Sequence, residues 1–465
     1  MNARRAVVIG AGPAGLLAAA ALSPAVDEVV VLDRDELPEG PEHRTGVPQS
    51  RHAHLLMPGG MDAMEELLPR AGLRAELLAA GARETALSRD MVALTPVGWF
   101  RRWRHRSHVT ITSSRPLLEW VVRRAVLRCG ENVRVRRAQV TGLRGSARRV
   151  TGVRLAGPDG GPTQDLDADW VVEAGGRGTR LLTWLDTIGV HGVRERGVDS
   201  GLANATRVYR VPDGARDWPM TLIQADPWSG RPGRSAMIVP IEHGRWMVSL
   251  GGMRGSEPPK DPEGFVDYAL GLPSPLVGRL IRAAEPLGPV HVSRSTSNSR
   301  RYLEDAPVWP EGFVVLGDAA ATFNPIYGQG MSVAAHGALA LARALREDGI
   351  GTPGLARRVQ RAVGRAADGA WTMAVSTDVL YPGVEGGRAT PGDRMAAAYS
   401  QRLTRAATGS YTAAAALWDV TTLRTPPSRL FRPDALLHSL TGPPLPALAG
   451  PPLTAAEQAF LSGIG

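Results

Sequence analysis

The sequence predicts an α/β protein: a Rossmann-like dinucleotide-binding domain with a mainly parallel sheet, an inserted antiparallel β domain, and a helical C-terminal region. Three observations carry this. The opening "RRAVVIGAGPAGLLAAAALSPAVDEVVVLDRD" reads strand, glycine turn, helix, strand, which is one βαβ unit. From about Gly192 to Gly255 the pattern changes to alternating segments such as "ATRVYRV", "SAMIVPI" and "RWMVSLGG", separated by Pro, Gly and Asp turns. A late stretch, "FVVLGDAAATFNPIYGQGMS", again joins a strand to a helix through glycines and returns the chain to its first domain.

Between these landmarks the elements follow from their spacing. A helix pattern runs from Met61 to Leu68, and "SRPLLEWVVRRAVLRC" has apolar residues at helical intervals that suit packing on the first sheet. "NVRVRRAQVTGLRG" and "VTGVRLAGPDG" alternate with period two, and "ADWVVEAGGRG" is a strand ending in a glycine turn. One or two helices are expected between Pro262 and Ala284. Beyond Gly351 the chain reads as helical, then proline-rich from Thr425 to Pro452, and its last 40 or so residues read as an extended surface tail with little regular structure.

Composition limits the function. The chain has 465 residues, enough for two or three domains and for burial of a large cofactor. No apolar run approaches a membrane span, and the first residues enter a strand directly, so the expected compartment is the cytoplasm. Cys129 is the only cysteine, which excludes an intrachain disulfide and a thiolate metal site and suggests a buried, inert thiol. The net charge of +9 raises nucleic acid as a partner, but 53 of the 54 basic residues are arginine, with Lys260 the exception, and they are dispersed. Only "WFRRWRHRSH", Trp99 to His108, interleaves basic and aromatic residues; a solvated loop or the rim of a pocket explains it better than a single-strand binding face. No nucleic-acid partner and no membrane span are expected.

Gly10, Gly12 and Gly15 satisfy G-x-G-x-x-G, with Ala14 inside the motif and Asp33 lying 18 residues after Gly15 at the end of the second strand. Gly10 permits a tight turn, Gly12 lets a pyrophosphate approach the backbone, and Gly15 lets helix and strand pack closely. The helix N-terminus supplies free N–H groups for phosphate, and Asp33, with Arg34 beside it, suits the ribose. The cue for a 2′-phosphate is absent, which leaves NAD or FAD. In the late stretch an acid, Asp318, is followed by Pro325, Gly328, Gly330 and Met331 at the start of a helix. Backbone donors and a helix dipole there suit an anionic ring, and glycines admit a flat group against the chain.

With "GDAAATFNPIYGQGMS" the chain resembles the group A flavoprotein monooxygenases of the para-hydroxybenzoate hydroxylase fold. The resemblance implies FAD, with Asp318 on the ribityl chain, Pro325, Gly328 and Gly330 beside the isoalloxazine, and the helix from Met331 aimed at its N1 and C2 carbonyl. It also implies that Arg44 and Arg115 contact FAD from a flanking loop and helix, and that Val140 lies near the adenine. The implied domains are FAD-binding over 1–75, 111–187 and 286–350, substrate-binding over 76–110 and 188–285, and a C-terminal helical region with a Pro-rich tail over 351–465. Through "GVPQSRHAHLLMPGG", "EAGGRGTRLLTWL" and "FNPIYGQGMS" the chain is further similar to actinobacterial polyether and polyketide epoxidases.

The resemblance implies a monooxygenase, an epoxidase or hydroxylase of antibiotic biosynthesis, in which a flavin C4a-hydroperoxide hands oxygen to a bulky apolar substrate between flavin and second sheet. No catalytic side chain is compelled by the residues. The family's middle motif is altered: Gly175 stands for the aspartate, Thr179 for the serine and Leu182 for the arginine, while Ala321 and Ser332 replace a histidine and an asparagine. Direct reduction by NAD(P)H is therefore open, with a separate flavin reductase as the other donor. The altered motif also fits a non-redox, FAD-containing [4+2] cyclase acting on a polyene. A halogenase is disfavoured because Lys260 sits in a proline-rich loop. His52 and His54 suit a loop or packing role better than a metal, and Trp99, Trp218, Trp228, Trp246 and Trp371 suit core packing better than a cavity wall.

Overall fold

The computed structural model describes residues 3–157, 161–294 and 296–464. Its first lobe is built on a five-stranded, wholly parallel sheet in the order Phe313–Val315, Trp170–Glu173, Arg5–Ile9, Glu28–Asp33, Val133–Arg137. Strands such as "AVVI" and "VVVL" are continuously apolar because both faces are buried, in a core that the helix Pro13–Leu22 shares with Leu143, Val150, Val153 and Leu155 of a three-stranded antiparallel sheet, Gln164–Asp167, Arg149–Leu155 and Val140–Ser146. The helix Pro13–Leu22 packs against Gly330–Asp348, which packs in turn against Pro58–Leu67 and Leu355–Asp378. Small residues permit these close crossings: a Cβ on Gly60 would lie 2.6 Å from the Cβ of Ser332.

The second lobe is a seven-stranded sheet in the order His291–Ser293, Ala203–Arg210, Arg245–Gly252, Arg234–Ile241, Met220–Ile223, Met91–Thr95, Gly98–Trp99. It is antiparallel except where Met220–Ile223 runs parallel to Met91–Thr95. Trp246, Tyr209 and Phe265 fill its core against the helices Pro262–Leu270 and Leu276–Arg282. Trp99, Trp218 and Trp371 are likewise buried, and Trp228 is half-buried. A small sheet of Glu195–Val198, Asn298–Arg301 and Ala321–Thr322 links the lobes.

Two expectations from sequence are corrected. The C-terminal tail is not extended throughout, because Pro433–Thr441 and Ala455–Gly463 are helical. The second begins with a capping box in which Thr454 and Glu457 satisfy each other's backbone N–H. Glu457 also receives both hydrogen bonds of a fork from Arg102 Nη1, at 2.6 and 2.9 Å, and Phe460 packs on Trp218. The basic–aromatic stretch is therefore spent on the chain's own tail: Arg101 donates to the Pro446 carbonyl, and Trp103 and His105 pack on Tyr411. Cys129 is exposed and not buried, because it ends the Arg115–Cys129 helix on its solvent side. No helix among the described residues is long and apolar enough to cross a membrane.

Candidate functional site

The site forms where the two glycine clusters meet. Gly10 has φ +96°, and a Cβ there would lie 2.6 Å from the Ala174 carbonyl oxygen; on Gly15 it would lie 1.8 Å from the Gly10 oxygen. These two glycines serve close packing of the turn itself. Gly12 differs. It caps the Pro13–Leu22 helix with no side-chain partner, and a Cβ there would meet nothing within 4 Å. Bare backbone facing open space at a helix N-terminus is a cradle for phosphate. From the late cluster, Gly317 (φ +61°) touches the first: its Cβ would sit 2.6 Å from that of Ala14.

Asp33 does not stand free at its strand end. Its Oδ2 accepts from Ala11 N at 2.7 Å and Arg44 Nη1 at 3.1 Å, and its Oδ1 accepts from Asp35 N at 2.9 Å. Arg44 also pairs with Glu119, and Glu119 with Arg115 Nε at 3.3 Å. All three side chains are about one-tenth exposed or less. Arg34 is exposed beside Asp33, and Val140 is half-buried at the start of the strand Val140–Ser146, against the first-lobe core.

Asp318 is exposed, while protein atoms crowd it closely enough for burial to push its carboxyl up; Arg177 and then Arg115 pull the other way. An exposed acid in crowded surroundings, beside the bare backbone of Gly317 and Gly330, outlines a slot that a flat group could enter. Gly330 opens the 19-residue helix, and a Cβ there would be 3.8 Å from Asp318 Oδ1. Its first turn carries no acid of its own, and the positive end of the dipole faces the slot beside Asp318. Pro325 is exposed, Gly328 (φ +65°) lies against Met57, and Met331 is buried.

The loop over residues 52–57 lies against this turn, with Met57 and Leu55 next to Gly328. His52 Nδ1 meets Thr206 Oγ1 at 2.9 Å across the lobe boundary, and His54 Nδ1 donates to the His52 carbonyl at 2.9 Å, which leaves His54 Nε2 as an acceptor. Burial, and then His291, lowers the His52 pKa to about 4; burial, and then Arg115, lowers that of His54 to about 3. Both rings are neutral at pH 7. No group of three or more His, Cys, Asp or Glu suited to a metal occurs among the described residues. Leu55 packs on both the Val239, Ile241 and Met247 cluster of the second sheet and the core containing Trp418 of the C-terminal helices, so an apolar surface begins beside the slot.

The structure thus gathers Gly10, Gly12, Ala14, Gly15, Asp33, Arg44, Arg115, Asp318, Gly328 and Gly330 around one cleft. Sequence reasoning missed Glu119, although its spacing of four from Arg115 on a helix was a usable signal. It also missed Glu173, fully buried at its strand end, whose pKa burial raises to about 7. The altered middle turn carries Arg177, which donates to the Ser297 carbonyl at 2.9 Å.

A parallel sheet whose first turn leaves bare backbone at a helix N-terminus, closed by a second strand-to-helix turn, has the architecture of an FAD-type flavoprotein. The chain matches a family model described as FAD binding domain over residues 4–354. It is 35% identical over 387 residues to protein Rv3254 of Mycobacterium tuberculosis, covering 81% of this chain and 80% of that one. It is 29% identical over 354 residues to kynurenine 3-monooxygenase of Salinispora tropica, covering 72% and 71%. Among solved structures it is similar in fold to the flavin-dependent brominase Bmp2, with a TM-score of 0.64 at 16% identity over 94% of this chain and 97% of that one. The chain belongs to the FAD-binding domain family, the group A flavoprotein monooxygenases, and is an FAD-dependent oxidoreductase.

Proposed function

We propose that the protein is a monooxygenase, an epoxidase or hydroxylase, that transfers oxygen to a bulky apolar substrate of polyketide type, and that the cleft residues above hold its FAD. The observation carrying this reading is the contact of Ala14 with Gly317, which makes one site of two segments about 300 residues apart. The residues fit FAD. The backbone at Gly12 takes the pyrophosphate, Arg44 and Arg115 flank it, Asp33 and Arg34 lie on the adenosine side with Val140, and Asp318 with Pro325, Gly328, Gly330 and Met331 frames the ring. Asp33 acts here through Ala11 N and Arg44 as well as through any ribose hydroxyl, since its Oδ2 is already engaged.

Bound FAD supplies the redox chemistry with oxygen; the chain's own residues bind, orient and exclude water. The helix N-terminus at Gly330 would place positive potential where negative charge gathers on a reduced ring. The apolar surface around Leu55, Met237 and Trp418 excludes water and accepts an apolar substrate. Neutral His54 offers only an acceptor nitrogen, which suits orientation of a hydroxyl and not proton donation. Lys260 is exposed in the loop preceding Pro262–Leu270, which gives no support to halogenation.

The electron donor is tested by mixing the yellow protein with NADH or NADPH, with and without a flavin reductase, and following loss of the visible flavin band. The reaction is tested by turnover under labelled oxygen. Label in the product supports the monooxygenase. Product formed without oxygen or reductant supports the [4+2] cyclase, a reading favoured by Gly175, which brings no acid to the middle turn.

A further inference from the structure

The turn Asn324–Gly328 is held from behind by a buried carboxylate outside every glycine motif. Asp378, the last residue of Leu355–Asp378, is 0% exposed. Its Oδ2 accepts from Asn298 Nδ2 at 2.7 Å, Asn324 Nδ2 at 2.9 Å and Ser200 Oγ at 3.3 Å, and its Oδ1 accepts from Tyr327 Oη at 2.6 Å. The two amides have no freedom to turn over, because Asn298 Oδ1 accepts from Asn324 N at 2.8 Å and Asn324 Oδ1 accepts from Ile326 N at 3.1 Å. Each of these four partners of Asp378 therefore donates, and none of them is basic.

A buried carboxyl held by neutral donors, at the end of a helix where the dipole opposes its charge, is a costly way to join elements. An apolar contact would do so more cheaply. What the carboxylate adds is direction: it receives the side chains at both ends of the turn, Asn324 and Tyr327, and fixes the backbone that presents Pro325 and Gly328. We infer that Asp378 is a positioning residue for the flavin end of the cleft, acting through Tyr327 and Asn324 to hold this turn in its FAD-binding form. The inference rests on the placement of the ring beside Pro325, Gly328 and Gly330.

The experiment compares FAD affinity and the shape of the visible flavin band in wild type, D378N, Y327F, the double variant and D318A, with melting of each FAD-free protein recorded alongside. Tyr327 is half-buried in a surface turn, so Y327F tests the idea even where D378N folds poorly. Expected are FAD affinities about tenfold weaker in D378N, whose amide nitrogen replaces one acceptor oxygen among groups that all donate, and in Y327F, which loses the bond to Oδ1, each with an altered band, and a double variant weaker than wild type by less than the product of the two effects because both loosen the same turn. Wild-type affinity and band shape in D378N and Y327F would overturn the inference, whatever their melting temperatures. So would strictly additive effects. If D318A weakens FAD binding while the other two do not, only the role of Asp378 fails; if none of the three weakens it, the placement of the ring fails as well.

Discussion

Gly12 and Gly15 are three residues apart, and a side chain would meet different surroundings at each. At Gly12 a methyl group points into open cleft, so G12A leaves the FAD-free protein as stable as wild type and weakens FAD binding by about tenfold or more, roughly 1.4 kcal/mol. At Gly15 a methyl group would lie 1.8 Å from a backbone oxygen, so G15A lowers the melting temperature before FAD is added. Thermal melts paired with a fluorescence titration separate the two, and equal loss of stability in both would contradict the cradle. Glu173 gives a pH test. Its folded pKa of about 7 lies above the ordinary carboxyl value, so its contribution is intact below about pH 4.5 and is lost as pH rises through 7. E173Q should match wild type in acid and exceed it at pH 8 by about 1–3 kcal/mol, read as a difference in stability between the two FAD-free proteins. His52 and His54, with lowered pKa values, weaken both proteins alike as pH falls below 6.5, and cancel from that difference.

At the scale of elements, the C-terminal helix Ala455–Gly463 depends on one acid that is both cap and anchor. E457A removes the capping box and the fork from Arg102, a partly buried pair, whereas E457Q keeps an acceptor for the cap and loses the charge. Limited proteolysis should cut the tail of E457A several-fold faster than that of wild type, with E457Q between them. Equal rates in all three would show that Phe460 on Trp218 holds the helix unaided. This helix also shows where sequence reading stops. The opening βαβ unit, the parallel sheet and the two glycine clusters were legible because their periodicity and turns are local and agree with one another. The tail was not, since proline content masked a short helix whose start is a two-residue capping signal and whose docking partner lies 355 positions away in sequence. The same limit hid Asp378, whose partners at 200, 298, 324 and 327 share no sequence pattern with it. It also reversed the reading of Cys129, whose exposure depends on which face of its helix the rest of the fold covers.

Across the whole molecule, the two lobes are joined near the cleft by polar contacts as well as by apolar packing. Ser114 N, at the cap of the helix that carries Arg115 and Glu119, donates to Glu242 Oε2 at 2.9 Å, and Arg245 holds the other oxygen at 3.0 Å. Thr110 Oγ1 donates to the Leu56 carbonyl at 2.6 Å, and His52 meets Thr206. Glu242 belongs to the second lobe yet satisfies a backbone donor in the first, at a position 3% exposed. Removing it leaves that N–H buried and unpaired, at a cost of about 1–3 kcal/mol. The cost falls on the seam and not on either core, so E242A should change cooperativity as well as stability. In wild type, FAD at a hundred times its Kd adds about 2.7 kcal/mol to whatever unfolds with the site, and a single calorimetric transition should move upward as a unit. In E242A the trace should separate into two, with FAD raising only the transition of the lobe that contains Gly12 and Asp318. A single transition in E242A that FAD still shifts entire would show that apolar packing across the seam couples the lobes without this carboxylate.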